Sequence, residues 1–291
     1  ALWLALASPA LDVQLVTVVG GNVGLERTLA NARAIVGLSG KPVPVVAGAD
    51  RALMRPFADA AYVHGDNGLG GLELPAGPAA APGLAVDALR AALHAAEPAS
   101  VTLVGLGPAT NLGLLLATEP ALAGKLAEIV LMTGALAEGN VTPSAEFNAW
   151  NDPEALAIVL AAGAPVTLAT LDVTNQALCT HAHIAALRAA GQGACARAAA
   201  AIWESVPLSR RSGGAGHEQH DACAIMWLVA PGLFTGRDVH ASVDLGPGPG
   251  RGRTVIDRWG RARLPHNARF LETLDPTGFF DVLIPALARL P

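Results

Sequence analysis

Within nine residues, Asn140-Val141-Thr142-Pro143-Ser144-Ala145-Glu146-Phe147-Asn148 carries two carboxamides and a carboxylate. Such a set offers donors and acceptors to several hydroxyls at once, as on a sugar; taken singly, each Asn is accounted for by turn backbone it can satisfy. A second group is His217-Glu218-Gln219-His220-Asp221. Its histidines stand at i and i+3, whereas a zinc-protease helix needs i and i+4. His220-Asp221 reads as an acid/base imidazole beside a capping or ligating carboxylate, and helix capping by Asp221 alone explains the pair equally well. The loop His64-Gly65-Asp66-Asn67-Gly68-Leu69-Gly70-Gly71 is Gly-rich but is neither a phosphate loop nor a dinucleotide fingerprint, and Gly105-Leu106-Gly107 is too little to claim one. Cys179, Cys195 and Cys223 are odd in number and far apart, which fits free thiols in a reducing compartment better than a disulfide framework.

These groups need elements to hold them. Residues 13–19 form a β-branched run that predicts a buried strand ending in Gly20-Gly21-Asn22. A helical pattern over 23–39 stops at Gly40, and a short strand follows at 43–47. Residues 49–82 are rich in Gly, Pro and Asp and read as a long excursion of the functional kind. Strands at 100–106, 128–132 and 165–170 alternate with helices at 85–96, 110–117, 120–127 and from Asp152-Pro153-Glu154 to Gly163. Residues 133–151 read as a second long loop. Helices at 181–190 and 194–204, a polar loop at 206–220, a helix from Asp221, two strands within 238–257 and a final helix at 276–290 complete the pattern.

Strands alternating with helices predict an α/β fold: one open, mostly parallel sheet flanked by helices, with a small β-rich C-terminal appendage after Asp238. No repeat or linker breaks the chain, so a single domain over 1–291 is expected. Ligands of such sheets collect beyond the carboxyl ends of the strands, which pools Asn22, Asn140, Glu146, Asn148 and Asp172 on one rim. The chain has 291 residues, a net charge of −5 and only 15% charged residues. That balance, without basic runs, argues against nucleic acid and anionic membranes as partners. No window reaches the ~18 apolar residues of a membrane-spanning helix, and residues 1–10 lack the basic start of a signal peptide. A cytoplasmic location is the expectation.

In their order along the chain, several motifs resemble those of nucleoside hydrolases. They are Gly21-Asn22-Val23 with Thr28 and Asn31, His64-Gly65-Asp66, the run from Leu103 through Gly105-Leu106-Gly107-Pro108 to Asn111-Leu112, the segment Glu128 to Met132, the Asn140–Asn148 block, Asp152-Pro153-Glu154-Ala155, Leu171-Asp172-Val173-Thr174 and His220-Asp221. The resemblance spans essentially the whole chain. It implies hydrolysis of the N-glycosidic bond of a ribonucleoside substrate to ribose and free base. It also implies one calcium ion, with Asp221 and the Leu106 carbonyl among the ligands, a hard cation suited to a shared oxygen site. By the same resemblance Asn22, Asn140, Glu146, Asn148 and Asp221 hold the ribose, Met132 lines the pocket, and His64 and His220 face the base. His220 is the expected general acid, a role that a near-neutral pKa suits. A homodimer or homotetramer is the implied assembly.

Two departures accompany the resemblance. Nucleoside hydrolases open with a strand and an Asp-x-Asp-x-x-x-Asp-Asp loop, and Ala1-Leu2 matches the residues just after that loop. The expectation is that this strand and its calcium-binding, base-acting aspartates are missing from these residues, leaving little or no nucleosidase activity. An inactive chain that at most binds ribose or nucleosides is the alternative. The loop from Leu208 to Gln219 has no Tyr, and the single Tyr of the chain is Tyr62. His220 points toward inosine, uridine or pyrimidine substrates rather than purines stacked between tryptophans, although Trp227 and Trp259 exist.

Overall fold

In the computed structural model, which describes residues 1–291, the β-branched runs become short strands buried between helices. Val16–Val18 (β1) and Val45–Ala47 (β2) pair in a two-stranded parallel sheet. Val101–Gly105 (β3), Leu126–Met132 (β4) and Val166–Ala169 (β5) lie side by side and parallel. Leu178–Cys179 (β6) and His217–Glu218 (β7) form a small antiparallel pair. Phe234–Val243 (β8), Thr254–Asp257 (β9) and Ala268–Leu274 (β10) extend the main sheet to six strands in the order β3-β4-β5-β10-β8-β9. β10 is parallel to β5, and β8 is antiparallel to both of its neighbours.

β4 explains why the sheet is covered on both faces. Its period-two alternation sends Val130 and Met132 into one core and Ile129 and Leu131 into the other. Each fully buried aliphatic side chain of this kind contributes about 1.5–3 kcal/mol. The first core includes Trp3 and Leu4 of the helix Leu2–Ala7, whose indole N–H donates to the Ile35 carbonyl at 2.9 Å. The second is built by the helices Ala85–Ala95, Thr110–Thr118 and Pro153–Ala161.

The predicted elements largely stand, with shifts of up to four residues at their ends, and the helix expected at 120–127 is a 3-10 segment, Pro120–Lys125, that gives way to β4. The helix Leu25–Ser39 stops at Gly40, which takes φ 66°, as a left-handed C-terminal residue should. Asp152 caps Pro153–Ala161 through the Ala155 N–H. Three differences matter. The C-terminal strands are not an appendage: β10 sits inside the main sheet, between β5 and β8. The loop over 133–151 contains a helical turn and more, Phe147–Asn151. The β6-β7 pair was not anticipated, since two-residue strands carry no period to read.

The β1-β2 sheet is not hydrogen-bonded to β3; a side chain ties the two sheets instead. Asn111, buried at the start of the helix after β3, donates from Nδ2 to the Val18 carbonyl at 3.0 Å and accepts from the Ala49 N–H at 3.0 Å. Gly48 allows the approach. A Cβ there would lie 2.3 Å from the Val18 oxygen and 2.4 Å from Asn111 Nδ2.

Candidate active site

Beyond the carboxyl ends of β3, β4 and β5 the chain turns polar, and hydrogen bonds rather than apolar contacts set its shape. Glu146 is 2% exposed and caps the helix Phe147–Asn151. Its carboxylate accepts from the N–H groups of Gly134 (2.8 Å), Asn148 (2.8 Å) and Ala149 (3.1 Å) and from the Thr133 hydroxyl (3.3 Å). Burial nevertheless pushes its pKa up to about 7, against those hydrogen bonds. Asn140 is exposed, and its Oδ1 accepts from the Phe147 N–H at 2.9 Å. Asp172 closes the other end of the loop, accepting from the N–H groups of Leu136 (2.8 Å) and Ala137 (3.1 Å) and from the Thr170 hydroxyl (3.0 Å).

Asn148 draws two strand ends together. Its Nδ2 donates to the Met132 carbonyl at 2.9 Å and reaches the Leu106 carbonyl at 3.4 Å, with Met132 Sδ at 3.7 Å. Leu106, Met132 and Asn148 therefore meet at the ends of β3 and β4. Asn22 stands on another wall: its side chain is exposed, and its carbonyl accepts from the Ala60 N–H at 2.8 Å. Ala60 precedes the helical turn Ala61–His64, so the Asn22 segment and His64 are held to one another.

His220 opens the helix His220–Val229, and its Nδ1 lies 2.8 Å from the Thr174 hydroxyl, in the turn that follows β5. Burial brings its pKa down to about 4, with Glu218 opposing and His64, Arg211 and His217 assisting. That is a correction to the expected near-neutral value. At neutral pH His220 is an uncharged imidazole, with one donor and one acceptor nitrogen. Asp221 is accessible to solvent, yet desolvation pushes its carboxyl up to about 6. Arg211 Nη1 meets Glu138 at 2.9 Å, linking the loop before β7 to the loop after β4.

A calcium ion was the cofactor expected from the resemblance. Asp221 and the Leu106 carbonyl were the expected ligands, but no group of three or more His, Cys, Asp or Glu gathers anywhere in the chain. Asp221 and the Leu106 carbonyl offer three oxygens, donors of the kind calcium takes, and its 6–8 ligands include carbonyls and waters as well as carboxylates. Thr174 and Asp172 are the residues whose roles sequence reasoning missed. Both lie in the quoted Leu171-Asp172-Val173-Thr174 segment, but nothing local shows that one reaches His220 and the other Leu136.

The fold and this rim define the class first. A purine-preferring ribonucleoside hydrolase from Gardnerella vaginalis superposes with a TM-score of 0.91 at 30% identity, over 99% of this chain and 93% of that one. A plant nucleoside hydrolase does so with a TM-score of 0.91 at 27% identity, over 99% and 94%. The chain belongs to the inosine-uridine preferring nucleoside hydrolase family, whose profile matches residues 1–281. The non-specific ribonucleoside hydrolase RihC of Klebsiella pneumoniae is 40% identical over 292 residues, 99% of this chain and 93% of its own length. The family match starts at residue 1 and lends no support to the expected absence of a strand and acidic loop.

Proposed function

We propose that the protein hydrolyses the N-glycosidic bond of ribonucleosides, giving ribose and free base. The observation that carries this reading is a carboxamide–carboxylate rim at the ends of β3 and β4, with an uncharged imidazole held to the turn after β5. Asn148, Glu146, Asn140 and Asn22 supply hydrogen-bonding groups of both senses for ribose hydroxyls, and Met132 lines the sugar end. Glycosidic cleavage passes through an oxocarbenium-like state, in which ribose contacts count only if they strengthen as the ring flattens.

His220 and His64 face the base in this reading. In the tautomer whose Nδ1 accepts from the Thr174 hydroxyl, the proton of His220 sits on Nε2 and can point a hydrogen bond at the departing base. An imidazole with a pKa of about 4 cannot serve as a stock of protons at pH 7, so its part is to stabilise charge on the leaving base. Asp221, beside His220 and open to solvent, is the carboxylate for the anomeric side in this reading.

The test is ribose release from inosine, uridine and cytidine by the 291-residue chain, with calcium added and with a chelator. Release that His220→Ala lowers by about 100-fold or more supports the reading. No release from any nucleoside in either condition overturns it. The alternative is ribose or nucleoside binding without turnover. Calorimetric binding of ribose by a chain that releases none would select it. A homodimer or homotetramer is proposed on resemblance alone, and light scattering measures it.

A further inference from the structure

Between β2 and the helical turn Ala61–His64 the chain forms no helix or strand. Its course there is set by three consecutive residues at and just past the end of the helix Phe147–Asn151. The Trp150 carbonyl accepts from Arg55 Nη2 at 2.7 Å, and Asp152 Oδ2 accepts from the Leu53 N–H at 3.0 Å. Asn151 is bound twice: its Oδ1 accepts from the Ala58 N–H at 2.9 Å, and its Nδ2 donates to the Ala58 carbonyl at 3.0 Å. A carboxamide bonded in this way stands in for a neighbouring strand at a residue that has none.

The three contacts are not equivalent. Asp152 also caps the helix Pro153–Ala161 and accepts from the Thr110 hydroxyl at 2.6 Å, so it serves the core as well. Trp150 acts through its backbone carbonyl. The Asn151 side chain is 2% exposed and spends both of its polar groups on Ala58. Two residues beyond Ala58, the Ala60 N–H donates to the Asn22 carbonyl, and His64 lies in the turn that follows. His64 is near enough to His220 for its charge to bear on that ring. On the other side, Asn148 stands three residues before Asn151 in the same helix and is fixed to the Met132 carbonyl. A Cβ on Gly20 would lie 2.7 Å from the Phe57 ring, so the segment also presses on the chain leading to Asn22.

We propose that Asn151 is a positioning residue, which fixes where His64 stands against the Asn148 rim and so governs how the base of a nucleoside is held. What His64 meets rests on the hydrolase reading above; the tie from Asn151 to Ala58 does not. Without Asn151, the Ala58 N–H and carbonyl turn to water, and residues 53–64 gain positions that hold the base less well. The rim keeps its shape, because Glu146 and Asn148 are bound to Gly134, Ala149 and Met132. The loss therefore falls on the base and not on the ribose.

Steady-state kinetics of the 291-residue chain on inosine and uridine test the proposal, with ribose as an inhibitor and Asn151→Ala as the variant. KM is expected to rise about tenfold, with kcat within about twofold and inhibition by ribose unchanged. Asn151→Asp is the conservative variant. Its protonated carboxyl both donates to Ala58 and accepts from it, as the carboxamide does, whereas its carboxylate has no proton for the Ala58 carbonyl. Its KM relative to wild type should be close to one at about pH 5, where burial keeps the carboxyl protonated, and about tenfold at about pH 8. Amide exchange gives a readout free of turnover: in Asn151→Ala it should quicken over residues 53–64 and not over 134–149. Unchanged exchange over 53–64 overturns the proposal. So does a loss of kcat or of ribose inhibition as large as the rise in KM, which makes Asn151 a support of the whole rim. Should Asn151→Ala fail to fold, a KM ratio for Asn151→Asp that does not change with pH overturns it. A wild type that releases no ribose removes the hydrolase reading alone. The exchange pattern then carries the test, with calorimetric binding of inosine expected to weaken and that of ribose to hold.

Discussion

Glu146 shows how far a single side chain can be committed before any ligand arrives. Its four donors favour the carboxylate, while its burial favours the acid and prevails, raising the pKa from 4.5 to about 7. Glu146→Gln keeps the size but turns an amide N–H2 toward backbone donors, and is expected to cost about 2 kcal/mol near pH 5. The folded-state value lies above the unfolded one, so the stability linked to this proton is complete below 4.5 and is lost as pH rises through about 7. The difference between wild type and Glu146→Gln should therefore move by about 3 kcal/mol in favour of the variant between pH 5 and pH 9, enough to reverse its sign, read by urea unfolding across that range. A difference that moves in favour of the wild type as pH rises means the four donors hold the group ionised. Thr174→Val tests the other positioned side chain. It removes the hydroxyl 2.8 Å from His220 Nδ1 with little change in volume, and should lower kcat about tenfold while leaving KM for the nucleoside nearly unchanged. An unaltered kcat shows that the imidazole needs no partner at Nδ1.

At the scale of elements, the β1-β2 pair depends on Asn111 more than on its own three-residue strands. Asn111→Ala leaves the Val18 carbonyl and the Ala49 N–H without their partner and is expected to destabilise the chain by about 2–3 kcal/mol. Amide exchange should quicken first in residues 16–18 and 45–47, where local opening needs least energy. The helices were legible because their apolar stripes, caps and Gly stops all agree, as at Gly40 and Asp152. β10 was not. Ala-Arg-Phe-Leu-Glu-Thr-Leu alternates poorly, and its Arg269 and Glu272 read as surface residues. They are accommodated by Asp238 on β8 and by Arg237 and Arg258, ion pairs that only strand order creates. The site was legible as residue types, since Asn140, Glu146 and Asn148 cluster along the chain. Their backbone partners at Phe147, Gly134 and Met132 were not, because each depends on how a loop folds over a strand end.

The whole molecule is held by a strand that comes late in it. Leu271 of β10 is fully buried, and Leu271→Ala is expected to cost about 2–5 kcal/mol in a single cooperative urea transition. A smaller loss confined to the β8-β9 end would mean that the C-terminal strands do fold apart. The register matches Arg269 with Thr167, so β5 meets its partner 102 residues further along the chain (269 − 167 = 102). Until that partner is made, β5 presents an open, apolar edge on the growing chain, and such edges are templates for pairing with other chains. Closing so long a loop is slow compared with forming helices or neighbouring strand pairs. The step that exposes this protein to aggregation is thus its own synthesis, in the interval between the emergence of β5 and that of β10.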